Sequence, residues 1–98
     1  MMIEKTINGS AAILKITGEL DTETAPALEA LLNSELAGID DLTLDFQGLE
    51  YVSSAGLRVI LKAQKMMNAA GNMKVVHVNE SVMEIFEITG FTSILTIE

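Results

Sequence analysis

The spacing of apolar positions changes period several times along the chain. Ile3 to Ile7 and Ser10 to Thr17 are runs rich in Ile and Thr, separated by Asn8-Gly9, a two-residue turn able to take positive φ. Together they predict a β-hairpin. From Asp21 to Leu36 the apolar residues Ala25, Leu28, Leu31, Leu32 and Leu36 recur three and four apart, which is one face of a helix. Asp21, Thr22 and Thr24 are candidate caps at its start. Pro26 suits its first turn, where an N–H has no helical acceptor, and Gly38 suits its stop. Leu42, Leu44 and Phe46 then alternate with Thr43, Asp45 and Gln47, so the period returns to two and a strand follows. Strand, helix, strand implies a right-handed parallel crossover.

Gln47 to Val52 reads as a loop. Helical spacing resumes at Leu57, Ile60, Leu61 and Gln64 and continues to Ala70, where Gly71-Asn72 ends it. This second helix begins at Ser53-Ser54. Lys74 to Val78 reads as a short Val-rich strand, Ser81 to Ile88 as a short helix with Val82, Ile85 and Phe86 on one face, and Ser93 to Ile97 as a last strand. The expected fold is α/β, a mixed and mostly parallel sheet with an N-terminal β-hairpin and three helices, in the order ββαβαβαβ.

Composition narrows the function classes. The chain has 98 residues and no linker, low-complexity tract or internal repeat, so a single domain over residues 1–98 is expected. A hydrophobic fraction of 49% supplies the apolar surface that offsets chain entropy. Six Lys+Arg against fourteen Asp+Glu give a net charge of -8, which repels phosphate backbones and anionic lipid headgroups. Neither nucleic acid nor a membrane is an expected partner. The absence of Cys excludes disulfides and thiolate metal sites, and His77, the single His, cannot assemble a histidine cluster. No metal or cofactor is expected. Met1 to Lys5 lacks a basic region followed by an apolar run, and no apolar stretch approaches the ~20 residues a bilayer requires. A cytoplasmic protein is therefore expected, and the polar composition points to a monomer.

Candidate chemistry concentrates in Tyr51-Val52-Ser53-Ser54-Ala55-Gly56-Leu57-Arg58, where two adjacent hydroxyls stand at the passage from loop to helix. Helix chemistry alone favours a plain capping role, because Ser is among the commonest N-caps. The functional alternative is a phosphoserine, whose phosphate would face unpaired N–H donors and the positive end of the helix dipole. It would add nearly two negative charges to an acidic surface and so alter a partner contact more than the fold. Gly56 would let another backbone approach closely. An enzyme is not expected. Val52 stands where a Gly-x-Ser-x-Gly elbow around Ser54 needs its first glycine, and His77 is the sole imidazole. His77, between Val76 and Val78, reads as a half-buried structural side chain in a strand. Met66, Met67, Met73 and Met83 read as packing, Asp40-Asp41 as a polar turn, and Glu19 with Asp21 as too few ligands for a cation.

Ile16-Thr17-Gly18-Glu19-Leu20-Asp21, followed by Tyr51-Val52-Ser53-Ser54-Ala55-Gly56-Leu57 and by Phe86-Glu87-Ile88-Thr89-Gly90-Phe91, resembles the STAS domain of bacterial anti-sigma factor antagonists. The resemblance covers nearly the entire chain. In that family the unphosphorylated protein binds an anti-sigma factor that is also a serine kinase, which frees a sigma factor; phosphorylation breaks the complex, and a serine phosphatase is the implied counterpart. Aligned on Gly56-Leu57, the family's phosphoacceptor, the first Ser of an Asp-Ser-Ser/Thr-Gly-Leu motif, falls on Ser54. Ser53 stands at the acidic position and Ala55 at the second hydroxyl, which leaves Ser53 as the alternative acceptor. The resemblance further implies a partner-binding surface of Asp21, Ser53, Gly56, Leu57 and Arg58. For Asp21 an equal reading is a carboxylate held by the helix dipole, and for Arg58 a local ion pair. The alternative within the family is a non-phosphorylated scaffold, a subunit of a lipid-transport ATPase complex.

Overall fold

The computed structural model describes residues 1–98. β1 (Met2–Asn8) and β2 (Ala11–Leu20) form the expected antiparallel hairpin. Asn8 pairs with Ala11, so the two-residue turn is Gly9-Ser10, one position later than the sequence suggests. β2 then anchors a parallel path. β3 (Asp41–Asp45) pairs with Ala11 to Lys15, and β5 (Asn72–Val76) pairs with the far edge of β3, giving the order β1-β2-β3-β5.

A further strand, β4 (Leu49–Val52), lies within the stretch expected to be a loop and pairs in parallel with the last residues of β2. Its sequence hides it. Leu49 and Val52 are buried while Glu50 and Tyr51 between them are exposed, so no alternation is visible. The pairing register shifts between Gly18 and Glu19, and such an irregularity breaks the two-residue repeat on which strand recognition depends.

The helices are α1 (Ala25–Glu35), α2 (Ser54–Ala70) and α3 (Glu80–Thr89). α1 begins later than Asp21 because Asp21 to Thr24 close a turn, with the Ala25 N–H donating to the Asp21 carbonyl at 2.8 Å. Pro26 occupies its first turn as expected. α2 stops at Gly71, where an added Cβ would lie 1.9 Å from the carbonyl oxygen of Asp40. No side chain fits between the helix end and that backbone. α3 is capped by Asn79, whose Oδ1 accepts from the Val82 N–H at 2.8 Å while its Nδ2 donates to the Leu49 carbonyl at 2.7 Å. One side chain thus caps α3 and ties it to β4.

A cluster of 23 buried residues fills the space between sheet and helices. Leu14, Ile16, Leu42, Leu44 and Val75 come from the sheet, Leu28 and Leu32 from α1, Ile60, Ala63 and Met67 from α2, and Val82 and Phe86 from α3. Each large side chain so buried contributes about 1.5–3 kcal/mol. Phe86 stands 6.3 Å from Phe46 and 6.2 Å from Phe91, centroid to centroid, which extends the core to the C-terminal segment.

Two expectations near the C-terminus change. Ser93 to Ile97 does not form a full strand: Phe91–Ser93 is a short 3-10 turn, and pairing is confined to a parallel bridge between Val75 and Ile97. Leu95 is buried and Ile97 half-buried, so the alternation is real, but Phe91 folds back onto Phe86 and shortens the run available for pairing. His77 is exposed rather than half-buried. β5 ends at Val76, and His77 takes φ 59° as the chain leaves the sheet for the Asn79 cap. Its Nδ1 lies 3.0 Å from Asp45 Oδ1. Burial acts to raise the Asp45 pKa, but the contacts with His77 and the Gln47 N–H outweigh it and hold the carboxyl below its ordinary range. No helix is long and apolar enough to cross a membrane.

Candidate functional site

Parallel strands end at the same edge of a sheet, and that rule assembles the site. Leu20 of β2 and Val52 of β4 are register partners. The chain beyond each therefore emerges side by side: Asp21 to Thr24 after β2, and Ser53-Ser54 with the start of α2 after β4. The Ser53 N–H donates to the Leu20 carbonyl at 2.9 Å and fastens the two exits together.

The two serines have separate roles here. Ser53 is the N-cap: its backbone is extended, at φ -87° and ψ 175°, and its Oγ accepts from the Gly56 N–H at 3.3 Å. Ser54 is the first helical residue and is exposed, with its hydroxyl spent on no capping contact. Two residues on, Gly56 is buried. A Cβ there would sit 2.6 Å from the Leu20 carbonyl oxygen and 2.8 Å from Leu20 Cγ. The close approach that this glycine permits is therefore by the chain's own β2, and it seats the helix start against the sheet. Leu57 is half-buried and packs on the core, while Arg58 points its exposed side chain outward from the same turn.

Asp21 organises the neighbouring turn. Its Oδ1 accepts from the N–H groups of Glu23 and Thr24, both at 3.0 Å, and lies 3.1 Å from the Thr24 hydroxyl. The Thr24 Oγ1 in return accepts from the Asp21 N–H at 2.9 Å, and its single proton is shared between the Glu19 carbonyl, 2.8 Å away, and the Asp21 carboxylate. The Thr24 N–H is the main reason that the Asp21 pKa falls below its usual 3.8, against an opposing effect of burial. A carboxylate favoured in this way supports the turn at any pH above its ordinary range. The support is lost as pH falls through the lowered value.

Between α1 and α2, directly below this turn, lies a groove of about 400 Å³ lined by Ala25, Pro26, Glu29, Ala55, Arg58 and Lys62, among others. Lys62 Nζ reaches across it to Glu29 Oε2 at 2.8 Å. Both side chains are substantially exposed, so this ion pair contributes little to stability. Arg58 takes part in no ion pair, which answers the local-pairing alternative. Of the residues singled out from sequence, Asp21, Ser53, Ser54, Leu57 and Arg58 share this end of the molecule, with Gly56 beneath them. Thr24 and the α1 wall of the groove were not singled out as part of it. Lys62 was detectable from its four-residue spacing after Arg58, which continues the Ser54 face of α2.

The fold has relatives. TM1081 of Thermotoga maritima is 25% identical, with a TM-score of 0.85 over 100% of this chain and 81% of that one. SpoIIAA in its unphosphorylated form shares the fold at 14% identity, with a TM-score of 0.77 over 99% of this chain and 87% of that one. In sequence, BtrV of Bordetella bronchiseptica is 36% identical over 84 residues, which is 84% of this chain and 72% of that protein. An anti-sigma-B factor antagonist of Staphylococcus aureus is 28% identical over 95 residues, 95% of this chain and 88% of that protein. The profile of the STAS domain matches residues 2–98, a span that takes in the hairpin, the serine turn and the C-terminal bridge, and the chain belongs to the STAS domain family.

Proposed function

We propose that this chain is an anti-sigma factor antagonist whose contact with an anti-sigma factor serine kinase is switched off by phosphorylation of Ser54. The observation that carries the reading is the division between the two serines. Ser53 is committed to capping α2, and Ser54 presents an exposed hydroxyl beside the Asp21 turn. This favours Ser54 over Ser53 as the acceptor. The names of the relatives in Staphylococcus aureus and Bordetella bronchiseptica support the antagonist role. SpoIIAA of Bacillus, which shares the fold, is known in both unphosphorylated and phosphorylated forms.

In the proposed step the Ser54 Oγ attacks the γ-phosphorus of ATP held by the partner kinase, ADP leaves, and the hydroxyl proton passes to a base on the kinase. A serine phosphatase reverses it by hydrolysis. The phosphate is tolerated locally, since it faces the positive end of α2. It also brings nearly two negative charges close to the Asp21 carboxylate, and a partner surface suited to the neutral hydroxyl then meets repulsion. Asp21, Leu57 and Arg58 supply the contact surface, and Ser53 and Gly56 fix the shape of the loop that presents it. The chain acts by binding rather than by catalysis.

Intact-mass measurement after incubation with ATP and the cognate kinase tests this. One phosphate is expected on the wild type and on Ser53→Ala, and none on Ser54→Ala. No phosphate on the wild type, or undiminished addition to Ser54→Ala, would overturn the assignment; the first result favours a scaffold subunit of a lipid-transport ATPase instead.

A further inference from the structure

The chain is strongly acidic, yet three of its six Lys+Arg, namely Arg58, Lys62 and Lys65, stand on α2, and the 17 residues of that helix include no Asp or Glu. At about 100° per residue these three cations and Ser54 fall within an arc of roughly 80°. The proposed phosphoacceptor is therefore the first member of a basic stripe. Only Glu29, from α1, answers it, through Lys62; Arg58 and Lys65 have no carboxylate partner. The stripe runs between two hollows. One is the groove of about 400 Å³ against α1, with Ala25, Pro26, Ala55 and Val59 among its lining residues; the other, of about 310 Å³, is lined by Leu61 and Met66 together with the three cations.

Resting on the role proposed for Ser54, we infer that this face of α2 docks an acidic, amphipathic segment of the partner kinase. Its carboxylates meet Arg58, Lys62 and Lys65, and its apolar residues enter the flanking hollows. Charge complementarity selects this occupant. The rest of a surface of net charge -8 repels an acidic segment, so the α2 stripe is where such a segment is steered. The same charge disfavours a nucleic acid, whose backbone would meet three cations amid an excess of carboxylates. Regulation follows from position. Ser54 lies four residues before Arg58 on the helix, a spacing at which side chains are neighbours. A phosphate there draws the Arg58 guanidinium to itself and repels the partner's carboxylates, so one modification at the edge of the stripe disables the docking face.

Titration calorimetry of the unphosphorylated chain with the purified cognate kinase, at low and at physiological salt, tests the inference. Arg58→Gln and Lys65→Gln are each expected to weaken the complex about tenfold and to flatten its salt dependence. Lys74→Gln, a cation on β5 away from the stripe, should bind as the wild type does, and circular dichroism should show all three variants folded. Wild-type binding that persists undiminished in Arg58→Gln and Lys65→Gln overturns the inference alone. No binding by the wild type overturns the antagonist reading beneath it as well. Salt-sensitive binding of single-stranded DNA, lost in Arg58→Gln, would also overturn it by assigning the stripe to a phosphate backbone.

Discussion

Ser53 and Ser54 are adjacent and chemically identical, and a single hydrogen bond separates their roles. The Ser53 hydroxyl accepts from the Gly56 N–H, one of the donors that a helix start leaves unpaired. Removing it should cost stability that removing the Ser54 hydroxyl does not. Ser53→Ala is expected to lower the unfolding free energy by about 1 kcal/mol. Ser54→Ala, at an exposed first-turn position, should stay within about 0.5 kcal/mol of the wild type. Urea unfolding of both variants measures this, and equal losses would contradict the assignment of the cap. The sequence left the choice open for a physical reason. Either serine can occupy the cap, and the register is decided by the bond from the Ser53 N–H to Leu20, some thirty residues away in the chain. Asp21 differs in this respect, because its partners Glu23 and Thr24 are local and its place at a helix entrance could be read directly.

At the level of elements, the seating of α2 on the end of β2 positions the site, and Gly56 permits it. In an exposed helix Gly→Ala stabilises by roughly 0.5–1 kcal/mol. Here the added methyl meets the Leu20 carbonyl oxygen at 2.6 Å, so the sign should reverse. Gly56→Ala is expected to destabilise by about 1–3 kcal/mol, the usual cost of overpacking, and to displace the Ser53-Ser54 turn. Chemical denaturation gives the first quantity, and amide shifts of Ser53 to Leu57 report the second. A stabilised variant would mean that the helix start is not held against β2. The three helices were legible because each buries one face at helical spacing, as Leu28 and Leu32 do in α1 and Val82 and Phe86 in α3. β4 was not, since its buried residues Leu49 and Val52 are three apart and its register with β2 is irregular. The C-terminal segment departs from a full strand for the opposite reason. Leu95 and Ile97 alternate as a strand should, but the stacking of Phe91 on Phe86 and one bridge to Val75 complete the fold without a longer ladder. At His77 two flanking valines imitate a strand, whereas the chain turns away at that residue to reach its next cap.

For the molecule as a whole, the site and the core are separable. The Ser54 hydroxyl and the Arg58 side chain are exposed at one end of the sheet, and the 23-residue core beneath includes neither. A phosphate on Ser54 takes the net charge from -8 to about -10 without entering that core. Near the N-terminus of α2 it gains about 0.3–1 kcal/mol from the helix dipole, against repulsion from a surface that is already negative. On that balance the global fold is expected to persist. Phosphoserine placed at position 54 should therefore move the thermal midpoint by no more than about 5 °C, the shift that roughly 1 kcal/mol produces in a domain of this size. Backbone amide shifts should change at Asp21 to Thr24 and Ser53 to Lys62 and stay fixed in β1 and α3. Changes that spread to β1 and α3, or a loss of cooperative melting, would show that the phosphate acts by remodelling the domain. Confinement to the α1–α2 end, with kinase binding lost, would place the whole regulatory effect in surface charge.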